Sequence, residues 1–156
     1  MYDEARLYQA LALARQGMLL GDGGPFGAVI VRHGEVVATG WNRVIADTDP
    51  TAHAEMVAIR RAAARLGHYH LSGCLLYTSC EPCPMCLAAA HWAQLERIYY
   101  AATGEDAEKI GFADQLIRQQ FHGPPEAQTI PLSNHLREEG RILFADYAQI
   151  EGRVGY

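Results

Sequence analysis

A chain of 156 residues that is 49% hydrophobic and 20% charged is long enough to bury one sizeable core, and its composition is that of a folded domain rather than a disordered one. Its formal net charge of -5 is opposite in sign to the cationic footprint of a protein that grips a nucleic-acid backbone, and no apolar run is long enough to span a bilayer. Nucleic-acid and membrane partners are therefore disfavoured, and a small, uncharged or weakly charged substrate is expected.

Asp3 and Glu4 precede any apolar run, so the cationic start of a secretory signal is missing and a cytoplasmic location is expected. Cys74, Cys80, Cys83 and Cys86 are then reduced, and their clustering favours a metal over disulfides.

Leu7, Leu11, Ala14 and Met18 recur at helical spacing and predict a helix from about Tyr2 to Leu19 with that stripe inward. Gly21-Asp22-Gly23-Gly24-Pro25 stops it; without a following Gly-Lys-Ser/Thr this run is a turn rather than a phosphate loop. Phe26 to Arg32 and Glu35 to Arg43 read as two strands of a hairpin broken at His33-Gly34. Ala54 to Leu66 is built of helix formers and ended by Gly67. Its arginines, Arg60, Arg61 and Arg65, are the densest basic run and read as a solvated face rather than a phosphate track.

Cys74 to Ser79 reads as a buried strand and leads directly into the cysteine cluster, Pro84 opens a helix to Gln94, and Arg97 to Ala102 is another strand. Glu105 to Gln120 is helical with a break at Gly111, Pro124-Pro125 is a loop, and Arg137 to Gln149 is a last helix. Helices alternating with strands after an opening hairpin predict a three-layer α/β/α arrangement on a mixed sheet, in one domain covering residues 1–156.

His53-Ala54-Glu55 and Pro82-Cys83-Pro84-Met85-Cys86 carry the chemistry: one imidazole, two thiols three positions apart and a separate carboxylate. Cys83 and Cys86 at i and i+3 share one side of a helix start, where the dipole favours thiolate, and His53 stands in the first turn of the other helix. Positions i and i+2 do not share a face, so His53 is assigned to metal and Glu55 to proton transfer over an open coordination position. Two thiolates and an imidazole neutralise Zn2+ and acidify its water less than three histidines would, which makes a nearby base necessary. A closed structural knot would instead need a fourth ligand from Cys74, Cys80 or His91. Cys74 and Cys80 are read as buried inert thiols, and His68, His70 and His91 as ordinary histidines.

These two motifs, with Gly24-Pro25-Phe26-Gly27-Ala28, Asn42, Asp49-Pro50-Thr51-Ala52 and Thr78-Ser79-Cys80-Glu81, resemble the cytidine-deaminase superfamily over about residues 1–120, and most of all its guanine deaminase branch. The resemblance implies a cytidine deaminase-like fold with a central mixed five-stranded sheet, zinc held by His53, Cys83 and Cys86, and hydroxide on zinc attacking C2 of guanine while Glu55 passes protons. It further implies a nucleobase pocket in which Phe26 faces the planar base, Gly27 allows close backbone approach, Asn42 meets a base edge and Ala54 is a further substrate-binding residue. Asp114 would be a second acid at the purine, with a helix N-cap as its competing role. Residues 134–156 would be exchanged between the subunits of a homodimer, with Tyr156 closing the partner's pocket.

A deaminase of cytosine, a triazine or adenosine in transfer RNA shares the zinc motifs; the charge of -5 weighs against the last. A non-catalytic zinc module is the alternative of a different class, and it predicts four protein ligands with no part for Glu55.

Overall fold

The computed structural model describes residues 2–123, 129–130 and 132–154. The chain divides into two compact units, Met1–Asp114 and Gln115–Tyr156.

In the first unit, helix α1 (Glu4–Leu20) is capped by the Asp3 side chain and ends at Gly21 with φ 75°. Strands β1 (Gly27–Arg32) and β2 (Glu35–Trp41) pair antiparallel. Both residues between them, His33 and Gly34, have positive φ, the twist a tight hairpin needs. Helix α2 (Ala54–Leu66), strand β3 (Cys74–Cys80), helix α3 (Pro84–Trp92), strand β4 (Arg97–Ala102) and the short helix α4 (Gly104–Lys109) follow.

The sheet order is β2-β1-β3-β4, with β1 antiparallel to β3 and β3 parallel to β4. Among the described residues it is a mixed sheet of four strands rather than the five expected. The residues after Ala102 start α4, as the helical reading of Glu105 to Gln120 expects, with Thr103 and Asp106 forming a reciprocal capping box, and the strand that the resemblance adds is not found among the described residues.

Central strand β1 is buried along almost its whole length because both faces are covered. Ala28 and Ile30 pack with Ala54, Ala58 and Ala62 of α2, whereas Val29 and Val31 pack with Ala10 of α1 and with Tyr77. The α1 face departs from the expected stripe. Leu11 and Met18 are 41% and 42% exposed, while Ala10, Ala14 and Gly17 are buried. Close approach explains the rotation: a Cβ on Gly27 would lie 2.2 Å from the Ala10 carbonyl oxygen and 2.5 Å from the Ala14 nitrogen, and one on Gly17 would meet the Trp41 ring at 2.3 Å. A helix backbone this near a strand must present small residues, so its larger side chains lie to the flanks.

The α2 arginines serve the fold. Arg61 donates to the Thr39 carbonyl at 2.9 Å and Arg65 to the Val37 carbonyl at 2.8 Å, covering acceptors of the edge strand β2. Arg60 donates to the Thr51 hydroxyl and lies 3.7 Å from Asp49. No helix among the described residues is long and apolar enough to cross a membrane.

The expected break at Gly111 (φ 95°) follows α4 in the first unit, and the second unit begins with α5 (Gln115–Gln120). Helix α6 (Arg137–Ala148) follows, and the Tyr147 hydroxyl donates to the Val154 carbonyl beyond it. Pro124-Pro125 lies outside the described residues.

Candidate metal and active site

Strand β2 of the hairpin, through residues 42–53, and strand β3 deliver two helix N-termini to one place. His53 and Cys83 are the N-cap residues of α2 and α3, both with extended backbones, and neither side chain caps its own helix. Both stand one residue ahead of the first turn, where the sequence pattern puts them inside it. Pro84 follows Cys83 as the first helical residue, a position whose N–H would lack an intrahelical acceptor in any case.

His53 Nδ1 lies 3.6 Å from Cys83 Sγ and 3.6 Å from Cys86 Sγ. The three donor atoms lie within 4.8 Å of one another and form the only such set among the described residues. Nitrogen at about 2.05 Å and sulfur at about 2.3 Å from a tetrahedral zinc ion are themselves about 3.6 Å apart, so the donor spacing fits that ion.

The thiols are electrostatically unequal. Hydrogen bonding from Cys86, with His53 adding to it, holds the Cys83 thiol down at about 4. The bond to an ionised Cys83 pushes Cys86 strongly the other way. His53 is raised, chiefly by its hydrogen bond with Cys83. One thiol that ionises readily and a second that resists ionisation beside it, together with one imidazole, form a donor set completed by a dication.

Glu55 is 6% exposed, and burial pushes its carboxyl up. It touches the set at one corner: Cys86 Sγ donates to its Oε2 at 3.5 Å, while Thr78 Oγ1 donates to its Oε1 at 3.2 Å. Glu55 is not a member of the mutually close donor set. Cys80 turns away and donates to the Thr103 carbonyl, Cys74 is buried within the α2 side of the core, and His91 is exposed. The set thus has three protein donors, the number that leaves a tetrahedral ion one open position.

Asn42 is buried, and its Oδ1 accepts from the Val44 N–H at 3.1 Å while its own N–H donates to the Phe26 carbonyl. A Cβ on Gly23 would fall 2.0 Å from that Oδ1, which accounts for glycine there. The Phe26 ring packs edge-on against Phe112 at 5.0 Å, and Gly24 lies against both rings. Gly27 donates its N–H to Ser79 Oγ at 3.0 Å, and Ala54 is fully buried as the first residue of α2. Asp114 is half-buried at the end of the first unit and is not in the donor set. Tyr156 lies outside the described residues. Thr78 and Phe112 are additions to the sequence-derived residues: Thr78 becomes visible only when β3 is set against α2, whereas an aromatic two positions before Asp114 was a usable signal.

Residues 1–102 match the cytidine and deoxycytidylate deaminase zinc-binding region. The chain belongs to this family. Its members' zinc-binding region spans His53, Cys83 and Cys86, so zinc is the metal that the donor set is positioned to hold. The chain is 50% identical over 141 residues to the guanine deaminase of Bacillus subtilis, covering 87% of this chain and 90% of that protein. The X-ray structure of guanine deaminase from the same organism superposes with a TM-score of 0.96 at 45% identity, covering 100% of this chain and 99% of the other. The tRNA-specific adenosine deaminase of Haemophilus influenzae is 37% identical over 111 residues, 70% of this chain and 64% of that one.

Proposed function

We propose that this chain is a zinc-dependent guanine deaminase, converting guanine and water to xanthine and ammonia. The observation that carries the reading is the buried Glu55 carboxylate at one corner of a three-donor His53, Cys83, Cys86 set. Similarity to a guanine deaminase along most of both chains selects the base.

His53, Cys83 and Cys86 would hold the metal. Zinc held there would supply a water acidified enough to act as the nucleophile at C2. Glu55 accepts one proton of that water and gives it to the ring nitrogen beside C2, then accepts the proton of the added hydroxyl and gives it to the departing amine, so that C2=O forms, the C–N bond breaks and ammonia leaves. Burial that raises the carboxyl favours a group that both takes and gives a proton.

Phe26, backed by Phe112, offers an apolar face for the purine, and Gly27 allows the backbone to come near it. Asn42 has its Oδ1 engaged by Val44, which leaves the amide N–H groups as its donors to a base edge. The Ala54 N–H, at the open end of α2, is a further donor. Asp114 is the second acid of the reaction.

Residues 1–156 act as one deaminase domain in a cytoplasmic homodimer, with 134–156 exchanged between subunits and Tyr156 completing the partner's pocket. Support comes from α6, which buries none of its residues and leaves Ile142, Leu143, Phe144 and Tyr147 exposed. A tRNA substrate is disfavoured by the charge of -5 and by arginines engaged with protein acceptors.

Glu55→Gln tests the mechanism. The variant is expected to keep its zinc and lose turnover of guanine by about 100- to 10,000-fold; wild-type turnover with zinc bound would end the proposal.

A further inference from the structure

We propose that Thr78 is a positioning residue that sets the direction of the Glu55 carboxylate. This rests on the reading of Glu55 as the proton carrier.

Thr78 is fully buried in β3, held by Ala28 of β1 on one side and Tyr100 of β4 on the other. A threonine fixed by two ladders and stiff at χ1 delivers its hydroxyl to one place. A valine would fill the same space without a polar atom to satisfy, so a buried hydroxyl here calls for a partner. That partner is Glu55 Oε1, at 3.2 Å.

The two carboxylate oxygens are differently engaged, Oε1 by Thr78 and Oε2 by the Cys86 thiol at 3.5 Å. A thiolate that ligates metal accepts hydrogen bonds and does not donate them. In the metal-loaded protein Thr78 is therefore the donor that keeps Oε1 anchored, leaving Oε2 turned toward the donor set. Glu55 sits at the second position of α2 with several rotatable bonds, and loss of the anchor frees the carboxylate to swing from the reacting atoms.

Thr78→Val, Thr78→Ser and Glu55→Gln test this together through zinc content, kcat, KM and the Glu55 conformation in crystals. Thr78→Val is expected to hold zinc with KM within about twofold of wild type, to lose about 10- to 100-fold in kcat, and to show Glu55 in an altered or split rotamer. Thr78→Ser, which keeps the hydroxyl, is expected to recover most of the kcat. Wild-type kcat and an unmoved Glu55 in Thr78→Val, beside an inactive Glu55→Gln, would overturn the role of Thr78 alone. An active Glu55→Gln would instead overturn the underlying mechanism. If Thr78→Val does not fold, Thr78→Ala against Thr78→Ser makes the same comparison: higher kcat with serine supports the role, and equal kcat removes it.

Discussion

His53 and Cys83 each stand just before a helix begins, and their side chains meet across the gap, Nδ1 to Sγ at 3.6 Å, instead of capping their own helices. An absent side-chain cap costs about 1 kcal/mol per helix. Two such ends turned toward each other put the exposed N–H groups and positive dipole ends of α2 and α3 around one point, where a cation with an anionic nucleophile is the natural occupant.

Metal removal should separate activity from folding. Purified protein is expected to carry about one zinc ion per chain, and a strong chelator should abolish deamination while leaving the helical circular dichroism largely intact. The sheet and its two core clusters, which do not include the metal donors, explain the persistence. Cys83→Ala should do the same without chelator. Collapse of the dichroism on chelation would show that the metal holds the fold.

The corrected face of α1 predicts opposite outcomes for two substitutions. Gly27→Ala pushes a methyl group into the α1 backbone and should lower unfolding stability by about 1–3 kcal/mol. Leu11→Ser, on the exposed flank, should stay within about 0.5 kcal/mol of wild type. Urea denaturation of both variants decides, and the reverse order would restore the stripe of large residues as the buried one.

That pair also shows where sequence reading succeeds and where it stops. Helix α2 and strand β4 are found at their predicted limits, because helix formers followed by Gly67 and the run Arg97 to Ala102 are local signals. The metal donors were legible for the same reason, being fixed by spacing along the chain. The buried face of α1 was not, since it depends on how near α1 approaches Gly27 in another element. Thr78 was hidden likewise, its partner Glu55 lying 23 residues away on the neighbouring layer. The fifth strand came from family resemblance alone, with no segment of this sequence behind it, and none of the described residues forms it.

Arg65 spans from α2 to the edge strand and should matter more than an exposed arginine ordinarily does. Arg65→Ala removes a donor to the Val37 carbonyl and should cost about 1 kcal/mol while opening strand β2 to pairing with other chains. Denaturation midpoints and light scattering on warming report the two effects. Unchanged values for both would show that water replaces the guanidinium without loss.

Cys80 predicts an alkaline weakness. Burial first, then the nearby charges of Glu55 and Glu81, raises its thiol from 9.0 to about 11. The unfolded chain ionises this thiol before the folded one does, so its contribution to stability is complete below about pH 9 and is lost as pH rises through about 11. Wild type should therefore lose more stability between about pH 8 and about pH 11 than Cys80→Ala does, read from urea midpoints. An equal loss in the two proteins would contradict the shift.

Ammonia release from guanine, adenine, cytosine and tRNA, with zinc measured on the same purified sample, tests the central claim most directly. Guanine is expected to be the preferred substrate by a wide margin in kcat/KM, yielding equal amounts of xanthine and ammonia from zinc-loaded protein. Turnover of tRNA or cytosine ahead of guanine, or no ammonia from any of them with zinc fully bound, would contradict it.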